Sequence, residues 1–323
     1  MKTIRMSSVA LLAALAYVLP AAQAADRYPS KPIRMVIPFP TGGSNDLLSR
    51  FLGIKLTQRL GEQVVIDNRG GANGIIGADI AAQAPADGYT LLMISTSFVM
   101  NAALRTLPYD VERSFDPVSM IGTSPNCIVV NPAAGFATLR DLVERARAKP
   151  ASIFYASTGI GSFNHFGGEL FKRHVGIDLV HVPYKGGGPA MIDVMSGQIP
   201  MMFSSVTQVL PHVRTGKLKV LAVGADKRAP ALPDVPTVAE AGYPGYTFAV
   251  WWGMAGPAGM PAAVVDTLHK TFTAILADPA THERLAADAA ETLYKTPPEM
   301  RTMIREEVKK WTGVAKSAGI SAQ

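Results

Sequence analysis

Short apolar runs alternate with amphipathic helical patterns through most of this chain. That alternation constrains the fold more than any other feature. Strands separated by helices are joined by crossovers and line up parallel in a shared sheet. The runs predict strands at 33–38, 64–66, 89–94, 118–121, 128–130, 153–156, 179–182, 201–203, 218–223 and 248–253. Between the first two, Leu47, Leu48, Phe51, Leu52, Leu56 and Leu60 recur at helical spacing, and Gly61 supplies a stop. Thr138 with Asp141, and Thr237 with Glu240, carry the pattern of a helix N-cap. The last seventy or so residues read as helices alone, at 262–277, 280–289 and 298–318. The reading is therefore α/β, with a helical tail packed back on one part of it.

A chain of 323 residues with 48% hydrophobic and 17% charged residues is long enough for two lobes with substantial cores. Its net charge of +6 falls to +4 once Lys2 and Arg5 are set aside, and no basic stripe marks a nucleic-acid partner. Lys2 and Arg5, the apolar run 9–20 and Ala22-Gln23-Ala24 form an export signal, with cleavage expected after Ala24. The apolar run is too short to span a bilayer, which takes about 20 residues. The single cysteine, Cys127, permits no internal disulfide and sits in a strand-like run, as a buried thiol would. An exported chain without disulfides fits a bacterial periplasm.

Three small-residue loops follow strands and precede helices: 41–46, 157–165 and 184–189. In parallel sheets such loops gather at the carboxyl ends of the strands, where ligands bind. Peptide N–H groups at a helix start hold anions well. Loop 41–46 contains no lysine, arginine, cysteine or histidine, which favours holding a carboxylate over chemistry performed on it. Gly159-Ile160-Gly161 opens like a dinucleotide loop, but Asn164 stands where the third glycine belongs. No Walker loop, nucleophile elbow or metal-binding histidine spacing occurs, so no cofactor and no metal are expected. Ser162 and His165 are close in sequence but lack an orienting acid. Asp46 reads as a first-turn carboxylate that also shapes the loop, Asp193 as a helix-surface acid or a partner for a ligand ammonium, and Trp251-Trp252 as strand core or cleft wall.

Several segments together resemble the substrate-binding proteins of tripartite tricarboxylate transporters, the Bug family. They are Pro38 through Asp46, Asp87-Gly88-Tyr89-Thr90, Tyr155 through Ser162 with His165, Val182-Pro183-Tyr184-Lys185-Gly186-Gly187, and Leu232 through Gly242. The resemblance implies a two-lobed periplasmic binding fold of the type II kind, each lobe a mainly parallel sheet flanked by helices, joined by two crossovers. The lobes would be 25–124 plus 232–323, and 125–231. It implies ligand contacts from Phe39, Gly43, Ser44 and Asp46, with Ser95 or Thr96. The other lobe would offer Ser157, Gly159, Gly161, Ser162, His165, Gly187 and Gly188. Thr41, at a position often proline or alanine in relatives, and Ser204 complete the expected set. The implied function is capture of a small carboxylate (di- or tricarboxylate, amino acid or aromatic acid) by a monomer that serves membrane transporter subunits. The alternatives are a hydrolase built on Ser162 and His165, and a ligand-sensing partner of a membrane sensor kinase.

Overall fold

A computed structural model describes residues 28–321, and the expected export signal lies outside them. The first part of the chain alternates β1 (Ile33–Ile37), α1 (Ser44–Leu60), β2 (Val64–Asn68), α2 (Ile75–Ala82), β3 (Thr90–Ser95) and α3 (Thr96–Leu104). In β1, Ile33, Met35, Val36 and Ile37 are all buried, the signature of a strand covered on both faces. It pairs in parallel with β2 and β3. Leu48, Leu52 and Leu56 of α1 are buried at four-residue spacing, whereas Leu47 turns outward at 40% exposure. Gly61 ends α1 in the left-handed conformation, φ 76°, and its N–H donates to the Thr57 carbonyl.

A single long strand, β4 (Phe115–Val130), then leaves the first sheet and enters a second. There the alternation repeats: α4 (Leu139–Ala148), β5 (Phe154–Ser157), α5 (Phe163–Val175), β6 (Val180–Pro183), α6 (Gly187–Met195), β7 (Met201–Ser205), α7 (Val206–Arg214) and β8 (Lys219–Gly224). The chain returns as β9 (Ala249–Pro257) and closes with α8 (Ala262–Leu276), α9 (Pro279–Ala287), β10 (Glu291–Thr292) and α10 (Pro297–Ala318). Thr138 caps α4 as its spacing predicts. Thr237 and Glu240 form both bonds of a capping box, at 3.0 and 2.8 Å, around a run of turns rather than a helix.

Strand order runs β2-β1-β3-β9-β4-β7-β5-β6, with β8 and β10 also on β4. The two halves mirror each other. Each has a parallel trio, β2-β1-β3 or β6-β5-β7, and meets the other through antiparallel strands. The sheets are thus mixed, because β9 and β4 run against their neighbours. The predicted strands at 118–121 and 128–130 are one strand. Gly122-Thr123-Ser124-Pro125 looks like punctuation, but the backbone stays paired through it in regular register, after two register shifts between Pro117 and Ser119 and between Met120 and Gly122. Up to Pro125 it pairs with β9, and from Asn126 with β7 and β8.

The second crossing lies later in the chain than position 232. Ala229 and Leu232 pack with Val129, Val220 and Val223 of the second sheet. Val223 donates to Pro236 O and receives from Val238 N–H. The chain leaves that sheet at Phe248, whose backbone bonds both Gly224 and Asn126. The proline-rich segment therefore belongs to the second lobe, anchored by Leu232. Aromatic rings pack at this junction: Phe163 stacks on Phe248 at 4.5 Å, and Trp311 of α10 meets both Phe166 and Phe248 edge-on. Among the described residues no helix is long and apolar enough to cross a membrane.

Candidate ligand cleft

The two parallel trios point their carboxyl ends at one another. Five helix N-termini meet there: Ser44 and Asn45 of α1, Ser97 of α3, Phe163 and Asn164 of α5, Gly187 of α6 and Gln208 of α7 border one small cavity. Ser95 and Ser205, the caps of α3 and α7, also line it, with Phe39, Thr158 and Val250. Its volume is about 40 Å³. None of the lining residues carries a charge. The caps of α1, α3 and α6 (Gly43, Ser95 and Gly186) accept no side-chain hydrogen bond from the helices they begin. Their first-turn N–H groups thus point forward without a capping partner, the condition in which a helix start attracts an anion.

The lobes touch across this cleft. Phe163 N–H donates to Ser97 Oγ at 3.1 Å, and Arg105 donates to Ile160 O at 3.3 Å. A Cβ on Gly188 would stand 2.8 Å from Thr41 O, and one on Gly186 would stand 2.6 Å from Pro40. Glycine at 186 is required twice, because its φ of 122° also disfavours a side chain.

The expected residues divide into three groups. Phe39, Gly43, Ser44, Ser95 and Gly187 line the cavity. Thr41 and Gly188 form the contact between lobes. The rest hold the frame. Asp46 is buried and accepts from Gly42 N–H at 3.0 Å, Asn68 Nδ2 at 3.0 Å and Arg50 Nε at 3.1 Å. Burial opposes its ionisation, but those bonds outweigh it and hold the carboxyl below its usual range. Thr96 Oγ1 accepts from Trp251 N–H at 2.9 Å. Ser204 donates to Gln208 Oε1 at 3.3 Å. Ser157 Oγ accepts from Gly159 N–H and lies 2.6 Å from His181 Nε2. Trp252 is buried and donates to Asn45 Oδ1 at 2.9 Å, so it supports the cleft floor from behind. Asp193 accepts from Tyr184 Oη outside the cavity.

Ser162 and His165 are not a nucleophile and its base. Ser162 Oγ accepts from the His165 backbone N–H as the cap of α5. His165 Nδ1 accepts from Gly161 N–H at 3.2 Å, so the ring is neutral with its proton on Nε2. Burial lowers its pKa, partly opposed by Glu169. The ring stacks on His181 at 4.1 Å. Asn45, Ser97, Thr158, Phe163, Asn164, Ser205, Gln208 and Val250 line the cavity without having been expected. A larger cavity, about 810 Å³, lies between 224–230 and α10, and no helix N-terminus borders it.

Two facing α/β lobes around an uncharged cleft rimmed by helix N-termini define a solute-binding protein of the periplasmic type. The chain belongs to the tripartite tricarboxylate transporter family of receptors, whose model, "Tripartite tricarboxylate transporter family receptor", matches residues 48–320. Protein BugT of Bordetella pertussis is 37% identical over 91% of this chain and 91% of its own. The R. palustris protein Rpa4515, solved with adipate, is 35% identical with a TM-score of 0.88, covering 91% of this chain and 99% of that one. MatC from Rhodopseudomonas palustris, solved with bound malate, is 28% identical with a TM-score of 0.84, covering 89% and 99%. Members of this family are receptors, not enzymes, in keeping with the disposition of Ser162 and His165.

Proposed function

We propose that this protein captures a small carboxylate between its lobes and delivers it to the membrane subunits of a tripartite tricarboxylate-type transporter. It would do so as an exported periplasmic monomer, released from its signal after Ala24. The observation that carries this reading is the meeting of five helix N-termini on a cleft without charged side chains. Adipate and malate in two related structures support the ligand class.

The chemistry follows from desolvation. A carboxylate loses its water on entering the cleft, and every oxygen must be paired to offset that loss. Backbone N–H groups at α1, α3 and α6, with the hydroxyls of Ser44, Ser95 and Ser97, can pair it without a counter-ion. Because the donors come from both lobes, only the closed form engages all of them, so the ligand favours closure. Thr41 and Gly188 would set how far closure goes. Asp46, Ser157, Ser162 and His165 would act by fixing the loops that carry the donors.

Titration calorimetry against di- and tricarboxylates, amino acids and aromatic acids tests this. We expect a carboxylate to bind with a micromolar or lower Kd, roughly −8 kcal/mol. A folded sample that binds none of them refutes the reading. Co-purification with transporter subunits rather than a sensor kinase tests delivery.

A further inference from the structure

Among the described residues, Gln208 is the cleft-lining side chain with a fully buried polar atom that has no hydrogen-bond partner. It lies on the first turn of α7 and is 6% exposed. Its backbone N–H donates to Ser205 Oγ, and its Oε1 accepts from Ser204. Its Nε2 is buried with no hydrogen-bond partner. The amide is held close against the start of α6, where a Cβ on Gly187 would stand 2.6 Å from Nε2. The other two carboxamides are committed. Asn45 takes the Trp252 indole and reaches Ser95, while Asn164 accepts from Thr158 and donates to Phe203 O. Gln208 therefore brings a donor to the cleft that the protein itself does not use, and a buried donor without an acceptor is costly.

We propose that Gln208 sets which carboxylates the cleft accepts: Nε2 donates to a second acceptor oxygen, so the ligand is an aliphatic dicarboxylate rather than a monocarboxylate or an amino acid. This deepens the carboxylate-receptor reading and rests on it. The first carboxylate is met by the helix starts and the second by Gln208. An ammonium group finds no Asp or Glu in the lining and faces the positive ends of five helix dipoles. Discrimination is strong where a site built to hydrogen-bond a group is offered an analogue without it.

The test is calorimetry on the full mature chain with succinate, glutarate and adipate, the matching monocarboxylates butyrate, valerate and hexanoate, and aspartate. The readout is the ratio of monocarboxylate to dicarboxylate Kd at equal chain length. In the parent it is expected at roughly tenfold or more, the discrimination a hydrogen bond to a charged group provides. Aspartate is expected to bind more weakly than succinate. Gln208→Leu should bring the ratio toward one. Gln208→Glu, of the same size, should turn it below one by repelling the second carboxylate and raise aspartate relative to succinate. If Gln208→Leu does not fold, as judged by circular dichroism, Gln208→Glu carries the test alone. A ratio that neither folded variant changes overturns the inference. So does a parent that binds monocarboxylates or aspartate and no dicarboxylate, which leaves the carboxylate reading standing. A folded parent that binds no carboxylate overturns both.

Discussion

Replacing Gly188 by alanine should separate folding stability from ligand affinity. Gly188 is the second residue of α6, and its backbone is not in the left-handed region. In the helix itself alanine is the better residue, by up to about 1 kcal/mol. Across the cleft, however, the new methyl would stand 2.8 Å from the Thr41 carbonyl oxygen of the other lobe. An ordinary carbon–oxygen approach is about 3.3 Å or more, so the lobes must stop roughly 0.5 Å short of this closure. Donors on the second lobe that would reach the ligand at about 2.9 Å then sit near 3.4 Å, at the edge of a useful hydrogen bond. Losing one such bond to a carboxylate costs about 1.5–3 kcal/mol, or roughly 10- to 150-fold in Kd. Gly313→Ala is the control. It sits in α10 with nothing within 4 Å of the added methyl, so it should gain helix stability and leave affinity alone. Thermal melts and calorimetry on both variants read the two effects. Unchanged affinity in Gly188→Ala, with a melting temperature that is level or higher, would show that the loops do not approach this closely around the ligand.

Three further outcomes are expected. Burial, with His165 and Lys172 nearby, pushes the His181 pKa down to about 3. The unfolded chain takes up that proton near pH 6.5 and the native state only near 3, so stability falls as pH drops through that window. His181→Phe should flatten the fall in melting temperature between pH 7 and 4, and an unaltered slope would refute the assignment. Ser162→Ala removes the cap of α5 and should cost about 1 kcal/mol in urea unfolding, with no esterase activity in parent or variant. Turnover present in the parent and absent in Ser162→Ala would restore the hydrolase. Cys127 is buried, and burial raises its thiol pKa, so a disulfide reagent should label it only at the unfolding rate. Rapid labelling of the native protein would contradict its placement in β4.

Loop 41–46 was legible because Pro40 precedes it, two glycines punctuate it and a leucine pattern follows. The cleft residues on α3 and α7 were harder to see. β3 ends at Ser95 and α3 begins at Thr96, and β7 ends at Ser205 where α7 begins at Val206. With no loop between strand and helix there is no composition signal. The available signal was positional, since both are carboxyl ends of parallel strands, but Ser95 and Ser204 were named through the family resemblance, and Ser97, Ser205 and Gln208 were not named. Ser157, Ser162 and His165 carry the residue types of a contact site, yet local hydrogen bonds engage Ser157 Oγ, Ser162 Oγ and His165 Nδ1. Sequence separation of two to four residues makes such bonds cheap, and only coordinates reveal them. The continuity of β4 was illegible for a related reason, since Gly122 and Pro125 occur in turns and in paired strands alike.

The position of β9 has a bearing on how the molecule is assembled. β9 lies between β3 and the leading half of β4, although it is synthesised after every strand of the second sheet. As the chain emerges from the ribosome, the segment from Asn126 to Gly224 can therefore complete all four of its strand pairings, while β3 waits with an unfilled edge. The half that comes first in sequence is thus the half that must finish last. An arrested chain ending near Gly224 would expose two unpaired strand margins, a template for self-association. The same threading means that the first half is never a contiguous fragment, because the β9 strand that it needs follows the whole of the second sheet.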